Sequence, residues 1–497
     1  MIRIIACISA LLCCGISTGE ARTLRLAVHE LPPGRGYPYR VMTMPSLYSL
    51  SAIFDGLTRI DKDGVVRPWL AKNWSQKDDL TWVLGLRDDV VFHNGRPFTA
   101  DAVVHAVTYL TGQGGTGEAV ATEMSFLKGA TALDDFTVEI RTHIPVPILP
   151  RFLPVLHMVE PESWTTLGRD EFSLRPVGTG PFKVNSFEAT RILLTANSES
   201  WRPPKLDRLE ILAVPDATAR VQGLTSGSLD VASALGPDDQ DAIELVGGTL
   251  LGWRSEMVRT ISFVLTEGPS PLDDIRVRQA LNLAIDRETI IEGLLGGLTV
   301  PASQGATPAA EGYNPNLEPI PYDPNRARTL LADAGYENGF TLTAEAVIGA
   351  NGSDSAMYQL VARSLREIGV ELIIAPVTIA HLFDHFERGN WHGKAFGMVY
   401  TMEPIIDVIR ALRNNSCDRP APWYCDSGAT AMIENALTEQ ESEKRIALKQ
   451  HLMARYRDNA AAIFLWPELR FAGLAAGVTG YSDVHGFISY DTLDIQR

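Results

Sequence analysis

Apolar and polar positions alternate or recur along this chain in ways that predict strands and helices in mixed order. Residues 23–28 alternate toward a strand, as do 81–87, after which His93-Asn94-Gly95 signals a turn. Thr99 is placed to cap a helix with Asp101 in its first turn and Val103, Val104, Val107 and Leu110 on one face. Residues 136–141 and 205–214 read as further strands. Asp273 is expected to cap a second helix, whose apolar stripe runs through Val277, Ala280, Leu281, Ala284, Ile285, Ile291 and Leu294. A Pro- and Gly-rich loop covers 298–324. Then come a helix over 325–334 ending at Gly335, a strand over 340–347, a helix over 356–367 and a strand over 370–377. Helices over 429–437 and 441–457 precede an apolar run at 460–466. Strands interleaved with helices argue α/β packing, and no segment repeats at a solenoid period.

The apolar run at residues 4–16 has a different character. It follows Arg3 and leads to Gly19-Glu20-Ala21, the order of a secretory signal, with cleavage expected after Ala21. It falls short of the roughly 20 apolar residues that a membrane span needs. A buried first helix or a membrane anchor is the alternative, and so is lipidation at Cys13 or Cys14, although Leu12 and Cys13 are poor predecessors for a lipidated cysteine. Export agrees with the cysteine pattern. Of five cysteines, Cys7, Cys13 and Cys14 lie in this segment, leaving Cys417 and Cys425. An oxidising periplasm favours a disulfide between them; two free thiols are the other reading.

Composition narrows the class. The chain has 497 residues, a net charge of −16, 45% apolar and 21% charged side chains. That length exceeds one core and implies two or three domains, while the balance excludes global disorder and a polytopic membrane protein. The acidity argues against nucleic acid as a partner.

Blocks of residues, in order, carry a family resemblance. They are Ile53-Phe-Asp-Gly-Leu-Thr58 through Pro68-Trp-Leu-Ala71 and Trp74; Leu86-Arg-Asp-Asp-Val-Val-Phe-His-Asn-Gly95 with Pro97-Phe-Thr-Ala-Asp-Ala-Val103; and Pro176-Val-Gly-Thr-Gly-Pro-Phe-Lys183. Asp274-Ile-Arg-Val-Arg-Gln-Ala-Leu281 with Ala284-Ile-Asp286 follows, then Tyr322-Asp-Pro324 and Ala334-Gly-Tyr336. The chain resembles the extracytoplasmic solute-binding proteins of ABC importers, in the family 5 group that carries oligopeptides, dipeptides, nickel chelates and opines. The resemblance implies an α/β, two-lobed periplasmic-binding-protein fold (type II, large cluster C form) with an inserted subdomain and an interlobe ligand cleft. Its expected parts are a signal peptide at 1–21, a discontinuous lobe I of 22–57, 176–265 and 470–497, an inserted subdomain at 58–175, and lobe II at 266–469.

It further implies a monomeric periplasmic binding component, not an enzyme and without a cofactor. Such a component captures a small molecule or peptide and delivers it to an ABC permease and its ATPase subunits. A peptide is the expected solute, with an opine, nickel chelate or oligosaccharide as alternatives and a secreted hydrolase as a remote one. The one Gly-x-Ser-x-Gly match, residues 15–19, falls within the expected signal segment, and no His-Glu-x-x-His occurs.

The resemblance also points to a site segment. The family commonly shows a tryptophan, then an aspartate, then Asp-Pro in a strand and loop facing the cleft. This chain has Phe396-Gly-Met-Val-Tyr-Thr-Met-Glu-Pro404. Trp391, Tyr400, Thr401, Met402, Glu403 and Asp407 are therefore the expected ligand-binding residues, together with Asn351. Tyr400 would stack or hydrogen-bond, and Glu403 or Asp407 would meet a ligand cation; a core Tyr400 with solvated carboxylates is the competing reading. The aspartate that relatives use for a ligand ammonium has no clear equivalent. The loop Ile348-Gly-Ala-Asn-Gly-Ser353 lacks the arginine that dipeptide binders use. A longer peptide held by its backbone fits as well as another small solute.

Other motifs have plainer readings. Gly178-Thr179-Gly180 reads as a tight turn rather than an anion cradle, and Arg276 and Arg278 as surface or ion-paired residues. His381, His385 and His392 read as exposed histidines rather than a metal site.

Overall fold

The structure, a computed structural model, describes residues 21–40, 42–349 and 353–496. The expected signal segment up to Glu20 and the candidate Asn351 lie outside the described residues. A ten-stranded sheet organises the chain. From one edge its order is Val370–Pro376, Phe340–Ala346, Ala395–Thr401, Thr249–Phe263, Ala462–Leu474, Val231–Ser233, Thr23–Val28, Arg208–Ala213, Arg191–Ala196 and Phe182–Phe187. Thr249–Phe263 and Ala462–Leu474 are the two longest strands and lie side by side in the middle of the sheet. Their antiparallel register shifts between Arg254 and Val258 and again before Thr260. Such irregularities bend a strand and increase its local twist.

Burial follows the alternation of the sequence. Leu24, Leu26 and Val28 are at most 1% exposed. Residues 71–142 build a separate antiparallel sheet, ordered Ala71–Asp78, Thr81–Leu86, Thr137–Thr142, Leu127–Asp134. The helix Ala100–Thr111 covers it, burying Val103, Ala106, Val107 and Leu110. Thr99 occupies the position before that helix as expected, but its side chain makes no capping bond.

Two expectations are corrected by local chemistry. The stripe from Val277 to Leu294 is two helices, Ile275–Leu283 and Arg287–Leu295. Asp286 ends the continuity because its carboxylate accepts the Thr289 N–H at 3.1 Å and starts a new helix. The cap of the first is Asp274, which accepts from the Arg276 N–H at 2.8 Å. Asp273 sits instead in the preceding turn, accepting from Ser270 N–H at 2.9 Å. The apolar run at 460–466 is the buried start of the long strand Ala462–Leu474.

Cys417 and Cys425 are joined by a disulfide, with Cα atoms 4.4 Å apart. Among the described residues, no helix is long and apolar enough to cross a membrane.

Candidate ligand-binding cleft

Asp55, 2% exposed, ties several of the sequence blocks together. It accepts from Trp69 Nε1 at 2.8 Å, Thr179 Oγ1 at 2.9 Å, Trp201 Nε1 at 3.2 Å and Arg202 Nε at 2.9 Å. The Gly178-Thr179-Gly180 turn therefore has a packing role. A Cβ on Gly178 or Gly180 would stand 2.1 or 2.7 Å from Ile53 O, so only glycine allows that approach. Arg278 is likewise structural: it is buried and donates to the Leu272 carbonyl at 2.7 Å and the Asn459 carbonyl at 2.9 Å. Arg276 pairs with Asp274 at the surface.

Parallel strands place their carboxyl ends at a crevice, where ligands of α/β sheets bind. Beyond Val28 and Ala213, the ends of two parallel neighbours, lies a cavity of about 350 Å³ lined by His29–Pro33, Arg35, Phe187–Ala189 and Pro215. A second space, about 20 Å³, lies beside the long strands between Leu235–Pro237 and Phe471 on one side and Arg259, Met357, Trp466 and Glu468 on the other. It has room for about one water molecule. None of residues 391–407 lines either space.

The expected site segment includes the strand Ala395–Thr401, third from one edge of the ten-stranded sheet. Tyr400 pairs with Val258 on the long strand, immediately after its register shift. Tyr400 is 1% exposed and packs edge-on to Phe464, and a Cβ on Gly305 would lie 2.5 Å from its ring. Its hydroxyl has no hydrogen-bond partner among the described residues, and burial pushes that hydroxyl well above the ordinary tyrosine range. Met402 is buried and Thr401 half-buried.

Neither carboxylate of the segment is solvated. Glu403 is fully buried, 2.6 Å from Arg470 Nη2, and accepts the Glu256 backbone N–H at 3.0 Å. Burial raises its pKa, but Arg470 and His485 outweigh that and hold it at about 2. Asp407 lies 2.6 Å from Lys449 Nζ and accepts the Ile409 N–H at 2.9 Å, which caps the helix Val408–Asn414. Trp391 sits apart from these residues. Its ring stacks on Phe396 at 4.2 Å and on His385 at 5.0 Å.

Several charged residues at the junction were not singled out from the sequence. Arg259 pairs with Asp354 at 2.6 Å and Glu468 at 3.5 Å. Arg151 of the inserted region reaches Glu311 at 3.3 Å and the Ile406 carbonyl at 3.3 Å. Arg410 reaches Glu123 at 3.2 Å. The available signal was a charge inside an otherwise apolar strand, as in Val258-Arg259-Thr260-Ile261 and Leu469-Arg470-Phe471. Such a charge requires a partner once the strand is buried.

His385 is 3% exposed, against the expectation of solvated histidines, while His392 is exposed and His381 half-exposed. The ligating nitrogens of His381, His385 and His392 all lie within 4.8 Å of one another. The helix Ile379–Arg388, which carries His381 and His385, and the connection that leads from it to the strand Ala395–Thr401 and carries His392, bring them there.

Comparison with known proteins matches this architecture. Residues 65–402 fit the family described as bacterial extracellular solute-binding proteins, family 5 Middle. A glutathione-binding protein GsiB of Escherichia coli O1:K1 / APEC is 30% identical over 349 residues, 67% of each chain. The nickel-binding periplasmic protein of Escherichia coli (strain K12) is 24% identical over 456 residues, 84% of each chain. The structure of the periplasmic binding protein DppA from Helicobacter pylori in complex with the peptide STSA superposes with a TM-score of 0.82 at 20% identity, covering 96% of this chain and 98% of that one. The matched span and the relative that is 30% identical over two thirds of the chain place this chain in family 5 of the bacterial extracellular solute-binding proteins, the solute receptors of ABC importers.

Proposed function

We propose that the protein is the periplasmic receptor of an ABC importer and that its solute is a peptide held in extended form. One observation carries the peptide reading. The strand Ala395–Thr401 pairs with Phe340–Ala346 only at Ala395 and Phe396, while its other edge is paired along its whole length. Among the described residues, Gly397–Thr401 therefore has a strand neighbour on one side alone. An extended peptide adds to such an edge through main-chain hydrogen bonds, which serve any side-chain sequence. This mode does not need ion-pair partners for the ligand termini, in keeping with Glu403 and Asp407 being engaged by Arg470 and Lys449. The glutathione-binding and peptide-bound relatives support the same class.

In this reading Tyr400, Thr401, Met402 and Glu403 form the cleft wall with Asn351, and Trp391 and Asp407 support it. The lobes divide as 22–57 with 176–265 and 470–497, an insert at 58–175, and 266–469. The register shift at Arg254–Val258 supports a hinge inside the long strand rather than at its end. Export with cleavage after Ala21, a monomeric state, and delivery of an unaltered solute to a permease with ATPase subunits complete the assignment.

The test is calorimetry and thermal shift with two- to five-residue peptides, with free and with blocked termini. Peptides are expected to bind, blocked forms included, with stabilisation of about 2.7 kcal/mol at one hundred times the dissociation constant. Tyr400→Ala is expected to weaken binding while the fold persists; unchanged affinity rejects this wall. Binding of an opine or nickel chelate with no peptide bound rejects the peptide reading. Recovery of a cleaved peptide rejects the receptor role.

A further inference from the structure

A second polar cluster lies apart from the edge of Gly397–Thr401. The helix Ile379–Arg388 carries His381 and His385 four residues apart, one turn above the other on the same face. His392 lies in the connection to the strand Ala395–Thr401, its ring stacked on His381 with centroids 5.7 Å apart and 13° between planes. Glu345, on the neighbouring strand Phe340–Ala346, reaches the same point and is fully buried.

The protonation pattern follows from the hydrogen bonds. His385 Nδ1 lies 2.8 Å from the Gly389 carbonyl oxygen, an acceptor only, so Nδ1 carries the proton. In the neutral ring Nε2 then holds a lone pair. That lone pair faces His381 Nε2 at 2.9 Å and Glu345 Oε2 at 3.1 Å. Glu345 is fixed by its other oxygen, which accepts the His392 and Gly393 backbone N–H groups at 2.7 and 3.0 Å. Glu345 Oε2 is buried and, among the described residues, has no hydrogen-bond partner. His381 Nε2 is 3.8 Å from the same oxygen. If His381 Nε2 carries a proton it donates to His385 Nε2, which still leaves Glu345 Oε2 without a donor; if it does not, two lone pairs and a carboxylate oxygen face one another, an arrangement that suits a cation.

We propose that His381, His385, His392 and Glu345 bind a divalent first-row transition metal ion, with zinc as the type ion. Imidazole and carboxylate are the donors such ions take, and four donors suit a tetrahedral centre. Metal bonds of about 2.0–2.1 Å separate tetrahedral ligand atoms by about 3.3 Å; the contacts at 2.9, 3.1 and 3.8 Å lie around that spacing, and a His392 nitrogen lies within 4.8 Å of those of His381 and His385. The bond from His385 Nδ1 to Gly389 and the two backbone donors on Glu345 supply the outer shell that orients metal ligands. The indole of Trp391 covers His385 from one side, while His381 and His392 leave an entrance from solvent. Bound metal ties the helix Ile379–Arg388 to the strand Phe340–Ala346 and to the turn that begins Ala395–Thr401.

The experiment uses the tag-free mature protein, stripped with chelator and titrated with Zn²⁺ alone, with no peptide or free amino acid present. One equivalent is expected to bind. His381→Ala with His392→Ala is expected to lose more than roughly 100-fold in affinity, beyond what loss of an outer-shell partner produces. Both side chains reach solvent, so cooperative melting and peptide binding should persist in this variant. Co²⁺ is expected to give the intense visible absorption of a tetrahedral centre in the parent protein. No saturable Zn²⁺ uptake, uptake undiminished in the double variant, or no Co²⁺ absorption at one equivalent overturns the site.

Discussion

Lys449 and Asp407 form an ion pair 2.6 Å long in which neither side chain has any exposed surface. The lysine also reaches Glu311 at 2.8 Å, so one ammonium serves two carboxylates. Glu311 receives Arg445 at 3.2 Å and Arg151 at 3.3 Å as well. Burial of several charges is tolerated only while every one has a partner. Lys449→Met is therefore expected to destabilise the protein by about 3–5 kcal/mol, because it strands buried carboxylates. Urea unfolding measures it. Joining Lys449→Met to Asp407→Asn should recover part of the loss, since asparagine retains the helix cap.

Arg151 links the inserted region to that cluster and to the Ile406 carbonyl beside the proposed cleft. A contact made only when the lobes are together biases the equilibrium toward closure. Arg151→Ala is expected to enlarge the solute-free protein in X-ray scattering and to weaken solute binding about 5- to 30-fold, for a loss of about 1–2 kcal/mol. Unchanged scattering with unchanged affinity would show that Arg151 acts within one body.

Stability should fall in acid in two stages. Burial drives His93 and His157 down to about 4, so the unfolded chain binds more protons than the folded one between about 6.5 and 4. For Glu311, burial acts upward, but Lys449 and Arg151 outweigh it and hold the carboxyl at about 2, as Arg470 and His485 do for Glu403. Their contribution is complete above about 4.5 and is lost as pH falls toward about 2. Each amounts to at most about 3 kcal/mol. His485 runs the other way. Burial lowers it, but Glu403 overcomes this and raises it above 6.5, so its stabilisation is present below that value and is lost as pH rises through the raised one. Unfolding midpoints at pH 7.5, 5 and 3 should therefore decline in that order, and Glu403→Gln should flatten the last step.

Among the described residues, the buried Tyr400 hydroxyl has no hydrogen-bond partner. Tyr400→Phe removes that unsatisfied group and keeps the ring against Phe464. The variant is expected to be as stable as the parent or up to about 1 kcal/mol more stable, while losing solute affinity if a peptide carbonyl uses the hydroxyl. Higher stability with full affinity would assign Tyr400 to packing alone.

The Cys417–Cys425 bridge closes a loop whose Trp423 is anchored from two sides. Its indole N–H donates to Asn415 Oδ1 at 2.9 Å, and its carbonyl accepts the Leu265 N–H at 2.7 Å. Reduction is expected to cost about 2–3 kcal/mol, the range for a short loop. Thiol titration with thermal unfolding, before and after reductant, measures it.

Patterning by itself determined most elements, the α/β class and the family, because those rest on local periodicity and on blocks such as Ile53–Thr58 and Pro176–Lys183 whose residues pack on one another around Asp55. It also singled out the Cys417–Cys425 pair, whose alternative as free thiols was settled only by their proximity in the fold. The apolar stripe hid the break at Asp286, since the buried positions of two successive helices continue the same pattern. What only tertiary structure decided is the state of each charge. Glu403 finds Arg470, Arg259 finds Asp354, and Lys449 finds Asp407 across distances that no spacing rule spans. Glu345 meets His381 and His385 only because strand and helix pack side by side. A charge reads the same in sequence whether solvated, paired or poised for a ligand; burial and the geometry of its neighbours decide which.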